Sequence, residues 1–116
     1  MLIAQSIALE MVVAIKPLVD AVARRDRALA DQMRRAAQSV VLNIAEGSAS
    51  RGGNETARYH SALASTEEAR AALAVATAWG YIGTNRADIC VQLLRRTGAL
   101  LWGLVHRRRA NASESR

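Results

Sequence analysis

Phenylalanine is missing altogether, and aromatic residues make up only 3% of the 116 residues, although half of the chain is hydrophobic. Without aromatic bulk the core must be filled by Ala, Val, Leu and Ile, so its elements are expected to approach one another closely. Proline occurs once and glycine seven times. That leaves few places for turns and argues for a few long helices in a single domain. The lone cysteine, Cys90, excludes an intrachain disulfide and fits a reducing cytoplasm. No uncharged apolar run approaches the ~20 residues needed to span a bilayer. The first residues carry no basic segment ahead of the apolar ones, so no secretory signal is expected. Without secretion, the glycosylation patterns at Asn54 and Asn111 read as chance.

Catalytic and metal-binding patterns are equally sparse. His60 and His106 are the only histidines, and neither has a Glu three residues before it, the spacing of a di-iron bundle. One Cys and two scattered His fall short of a zinc site. Gly52-Gly53 lacks the Lys-Ser/Thr of a phosphate-cradling loop. Glu46, Glu67 and Glu68 would make a carboxylate cluster if they met inside a bundle, but such residues more often bond Asn, Ser or Arg of the next helix. No enzyme activity, cofactor or metal is expected.

What is present is charge of one sign. The net charge is +6, and all but one of the 16 basic residues are Arg. Polyanions such as RNA, DNA or acidic protein surfaces are the partners such a balance invites, although an arginine-rich composition with ordinary solvated faces produces the same excess. The candidate contacts are Arg24, Arg25, Arg27, Arg34 and Arg35 near the start of a second helix. Arg95, Arg96, Arg107, Arg108 and Arg109 are expected on the outer side of a fourth. The planar guanidinium suits phosphate. With no recognition-helix signature and no aromatic platform expected, contact with nucleic acid would be backbone-directed and poorly sequence-selective. The single Arg51-Gly52-Gly53 resembles a fragment of an RNA-binding repeat, but one copy reads better as a flexible turn.

The organising stretch is Asp31 to Gly47. Leu29, Met33, Ala36, Val40 and Ile44 fall on one side of a helix of ~3.6 residues per turn, widened by Ala37 and Val41. Asn43 sits beside this stripe and must find a partner, expected on a neighbouring helix. Gly47 is free to take the left-handed conformation of a helix end. Before it, a first helix from about 2 to 23 keeps Ile3, Ile7, Met11, Ile15, Leu18 and Val22 on one face, with Pro17 either bending it or breaking it at Lys16. Residues 47–53 form the clearest loop. Asn54 is then the expected cap of a third helix with the seam Leu63, Thr66, Leu73 and Ala76, stopped at Gly80. Thr84 or Asn85 caps a fourth helix over about 86–109, with Asp88 in its first turn. It carries two apolar rows: Ile89, Leu93, Leu100 and Leu104, and Cys90, Leu94, Leu101 and Val105. Together with Trp102 this is more apolar surface than one bundle seam hides, and self-association is the economical explanation. The domain is expected to be 1–109, with a disordered tail over 110–116.

Leu29 to Gly47, LADQMRRAAQSVVLNIAEG, resembles the signature of the four-helix bundle proteins described from open reading frames within 23S rRNA intervening sequences. Ser65-Thr66-Glu67-Glu68 and Trp79-Gly80-Tyr81-Ile82 match that family's later segments. Val41-Leu42 stands where the family commonly has Ile-Pro, and Arg70 where many members carry a second Glu. The resemblance implies an all-α, antiparallel up-down-up-down four-helix bundle that assembles as a homopentamer. It implies structural polar roles for Asn43, Glu46, Ser65 and Glu68, and leaves the arginines as the contact surface. The family is similar to the accessory variability determinant of diversity-generating retroelements, which implies nucleic acid and a reverse transcriptase as partners. A protein-binding scaffold without a nucleic-acid role is the rival reading.

Overall fold

The computed structural model describes the backbone of residues 1–114 and the side chains of residues 1–107. The described residues form four helices, α1 (Ile3–Ala23), α2 (Arg27–Ala49), α3 (Gly52–Ala78) and α4 (Thr84–Glu114), and no strand. Each helix packs on the next, and α4 closes back on α1. Neighbours run in opposite senses. Across α2 and α3, Ser39 meets Ser65 while Glu46 meets Arg58. Between α3 and α4, the Thr66 methyl lies against Gly98, and Leu73 and Thr77 share a groove with Val91 and Ala87. The result is the antiparallel four-helix bundle, about 53 Å along its axis.

The core follows from the composition. Met11, Leu18, Met33, Ile44, Leu73, Leu94 and Leu101 fill its centre, and alanines such as Ala8, Ala36, Ala62, Ala69 and Ala76 line the seams. Small seam residues let helix axes come close, so dispersion contacts replace missing aromatic bulk. Buried Thr66 and Thr97 donate their hydroxyls to the carbonyls of Ala62 and Leu93, both at 2.8 Å, one turn back. They therefore enter the core without orphaned polar atoms.

Several expected boundaries move, each for a local reason. Helix α1 runs unbroken through Pro17, so the alternative of a break at Lys16 is set aside; six turns of apolar packing outweigh one lost backbone bond. Asp26 caps α2, its carboxylate accepting from the Leu29 amide at 3.0 Å, a bond of about 1 kcal/mol. Gly47 does not end α2 in a left-handed turn, because the helix continues to Ala49. Ser50 closes it, donating its hydroxyl to the Glu46 carbonyl at 2.7 Å and its amide to Gly47 O at 3.2 Å. The expected loop over 47–53 thus shrinks to Ser50 and Arg51. Helix α3 starts at Gly52, so Asn54 lies inside its first turn and is not the cap. Likewise Thr84 and Asn85 are already helical, and Asp88 falls just beyond the first turn of α4.

Gly80 does stop α3. It takes φ +76°, and the amides of Gly80 and Tyr81 bond the carbonyls of Thr77 (3.0 Å) and Ala76 (2.9 Å). This paired closure requires a residue tolerant of positive φ. At the other end α4 remains helical past the expected end at 109, as far as Glu114; no Gly or Pro follows Gly103 to stop it. Of the tail expected over 110–116, Ser115 and Arg116 lie outside the described residues.

Candidate nucleic-acid interface

The ten arginines singled out from the sequence are not gathered into one patch. Arg24, Arg25 and Arg27 surround the α1–α2 turn at one end of the bundle, all exposed. Arg25 lies over the Tyr81 ring, 5.5 Å from its centroid, a cation–π contact joining this turn to the α3–α4 connection. Arg34 and Arg35 lie further along α2, and Arg34 lines a groove against Val12, Val13 and Val19 of α1. Arg95 and Arg96 are mid-way along α4. Arg107 is near the opposite end, beside Met1 to Ala4. The side chains of Arg108 and Arg109 lie outside the described residues. Contrary to a placement of the α4 arginines on its outer side, Arg95 lines the α3–α4 groove and Arg107 the α1–α4 groove. Grooves form there because Ala71, Ala74, Gly98, Ala99 and Gly103 are too small to fill them.

Pairing distinguishes these cations. Arg34 reaches Asp31 at 3.7 Å, Arg58 reaches Glu46 at 3.0 Å, Arg70 reaches Glu67 at 2.9 Å, and Lys16 reaches Asp20 at 2.8 Å. These exposed pairs each contribute about 0–1 kcal/mol. Among the described residues Arg24, Arg25, Arg27, Arg35, Arg95, Arg96 and Arg107 have no carboxylate partner. Seven of the ten candidate guanidinium groups are thus exposed with their charge uncompensated.

The four polar positions divide. Ser39 and Ser65 share a hydrogen bond of 2.8 Å between α2 and α3, and Ser65 is buried. Asn43 donates to the Ser39 carbonyl (2.9 Å) and hydroxyl (3.0 Å) of its own helix. It therefore reaches α3 only through Ser39, not directly as expected. Glu46 ties α2 to α3 through Arg58, while Glu68 is exposed. Glu46, Glu67 and Glu68 do not converge: the first two are each engaged by an arginine. No cluster of three or more metal-ligating side chains occurs among the described residues.

Tyr59 was not distinguished by sequence reasoning. It is 2% exposed, and its ring packs closely against Gly47, where a Cβ would stand 2.5 Å from Cε1. The signal was available: Tyr59 extends the α3 seam one turn before Ala62 and Leu63, opposite a glycine.

Cys90 is buried, and burial pushes its thiol from 9.0 up to about 11. The neutral thiol is the form the fold stabilises, so stability is full below pH 9.0 and falls as pH rises toward about 11. In Cys90→Ala that alkaline decline should flatten, measured by denaturant unfolding at pH 8 and above pH 10. A thiol-directed disulfide reagent should react with the native protein only as fast as it opens.

Apolar exposure is uneven. On α4 the row Cys90, Leu94, Leu101 and Val105 is buried. In the other row Leu93, Leu100 and Leu104 are half-buried and Ile89 is 68% exposed. Ile3 of α1, 66% exposed, lines one groove with Leu100 and Leu104. Val13 is exposed on the α1–α2 side. No described helix is long and apolar enough to cross a membrane.

The profile of the family described as 23S rRNA-intervening sequence protein matches residues 2–103. A comparison with curated proteins gives no match. Among solved structures, a protein with unknown function from the S23 ribosomal protein family of Bacteroides thetaiotaomicron is similar, with a TM-score of 0.82 and 18% identity. The match covers 89% of this chain and 98% of that one. At this identity the likeness concerns the fold.

Proposed function

Since this chain belongs to the 23S rRNA-intervening sequence protein family, we propose that it is a non-catalytic, self-associating bundle that binds the phosphate backbone of nucleic acid through its arginines. The observation that carries the reading is that seven of the ten candidate arginines are exposed without a carboxylate partner among the described residues. Unpaired surface cations strengthen binding by releasing counterions from a polyanion. The arginines occupy both ends and the middle of the bundle, which suits contact with a strand laid along it. Such a protein acts in the cytoplasm as an accessory to nucleic-acid chemistry performed elsewhere, for example by a reverse transcriptase.

Self-association rests on a separate feature. The apolar row Ile89–Leu93–Leu100–Leu104 with Ile3 occupies one face, and Val12, Val13 and Val19 border a cavity of about 410 Å³ on another. Two different sticky faces favour a heterologous contact, which closes as a ring, in keeping with the homopentamer the family resemblance implies.

Binding should be steeply salt-dependent. For about four phosphate contacts, affinity should fall roughly a hundredfold between about 50 and about 200 mM salt. Absence of retention on RNA or DNA at the lower salt removes the nucleic-acid reading. A stoichiometric polypeptide that copurifies after nuclease treatment would instead support a protein-binding scaffold, which the exposed apolar groove of α1 and α2 favours.

A further inference from the structure

Trp102 is an aromatic wall in a groove that also holds cations. It is 56% exposed. The His106 ring stacks on it, centroids 3.5 Å apart and planes within 21°, and His106 Nδ1 lies 2.8 Å from the Trp102 carbonyl. These contacts hold the indole in place. One turn before it, Gly98 and Ala99 are too small to cover it from the other side, and Trp102 borders a cavity of about 300 Å³ between α3 and α4. Leu63 and Leu94 give that cavity an apolar floor, and Arg70, Arg95 and Glu67 give it a polar rim.

A second cavity of about 600 Å³ continues along the same two helices and shares Glu67, Arg70 and Arg95. Within this trough Arg70 neutralises Glu67 at 2.9 Å. Arg95 meets no carboxylate among the described residues, so its charge is available to a ligand. Arg95 and Trp102 are two helical turns apart, about 10 Å along the axis. A flat hydrophobic ring, an apolar floor and a free cation at that spacing fit an unpaired base and the phosphate beside it. A duplex keeps its bases stacked inward and offers the indole nothing.

We propose that the α3–α4 groove binds single-stranded nucleic acid, with an unpaired base stacked on Trp102 and an adjoining phosphate held by Arg95. This rests on the nucleic-acid reading above and adds to it a preference for unpaired strands.

The test uses the full chain carrying Trp79→Phe, so that Trp102 is the sole indole. End-labelled single-stranded RNA, single-stranded DNA and a duplex, each of about 12 nucleotides per strand, are titrated at low salt, the anisotropy of the label reading affinity in every variant. Single strands should quench the indole fluorescence and bind more tightly than the duplex, and the RNA and DNA arms show whether the sugar matters. Trp102→Ala should weaken single-strand binding about tenfold or more while leaving duplex binding unchanged; Trp102→Phe should retain much of it. Unchanged single-strand affinity in Trp102→Ala overturns the stacking site and leaves the backbone reading standing. A parent that binds no oligonucleotide overturns both. A lower particle mass for Trp102→Ala in light scattering places the indole at a subunit contact and overturns the site.

Discussion

Gly47→Ala should melt well below the parent chain, by roughly 5–15 °C, even though alanine is the better helix former. Gly47 is buried within α2, has no positive φ, and faces the Tyr59 ring. Helix propensity alone makes the substitution favourable by about 1 kcal/mol. Against this, the new methyl would lie 2.5 Å from Tyr59 Cε1 and 2.7 Å from Cδ1, well inside contact distance. The ring is 2% exposed and cannot swing into solvent, so α2 and α3 must separate. Overpacking of this kind costs about 1–3 kcal/mol or more, and the clash wins. The double-mutant cycle isolates the cause. In a Tyr59→Leu background, itself destabilised by the lost ring, Gly47→Ala should become neutral or stabilising by up to about 1 kcal/mol. Calorimetry at equal protein concentration reads both effects, since assembly makes melting concentration-dependent. A Gly47→Ala chain as stable as its parent would show that the ring relaxes freely.

Ile3→Glu combined with Ile89→Glu should reduce the particle to a single chain while its helical circular dichroism persists. Both side chains are about two-thirds exposed in the isolated bundle, at 66% and 68%. A carboxylate at either place therefore costs the monomer little. If the α1–α4 face is covered by another copy, two unpaired carboxylates per subunit would be buried there, at several kcal/mol each. Association should weaken by more than about a hundredfold. Light scattering at micromolar concentration measures the masses of parent and variant. A parent with the mass of one chain means that Leu93, Leu100 and Leu104 remain half-exposed in water, and self-association is lost as a reading.

Much of the bundle was legible in the residues. The Leu29–Met33–Ala36–Val40–Ile44 stripe is buried as the spacing demands, and Gly80 stops α3. The α4 row of Cys90, Leu94, Leu101 and Val105 lies in the core. The candidate surface was less legible. The arginines could be assigned to helices but not to faces, and they occupy separate places on the bundle, three of them lining grooves. Trp102 read as part of an apolar excess, whereas it stands exposed and stacked on His106.

Four amphipathic helices and the stop at Gly80 follow from the chain by itself, because hydrophobic period and glycine conformation act within a few residues. Tertiary structure decided what those elements are for. Gly47 leaves room for the Tyr59 ring, Asn43 bonds Ser39, which in turn bonds Ser65, and one α4 row is left only half-buried. Each outcome depends on which faces meet when all four seams close together, and that is a condition no local spacing contains.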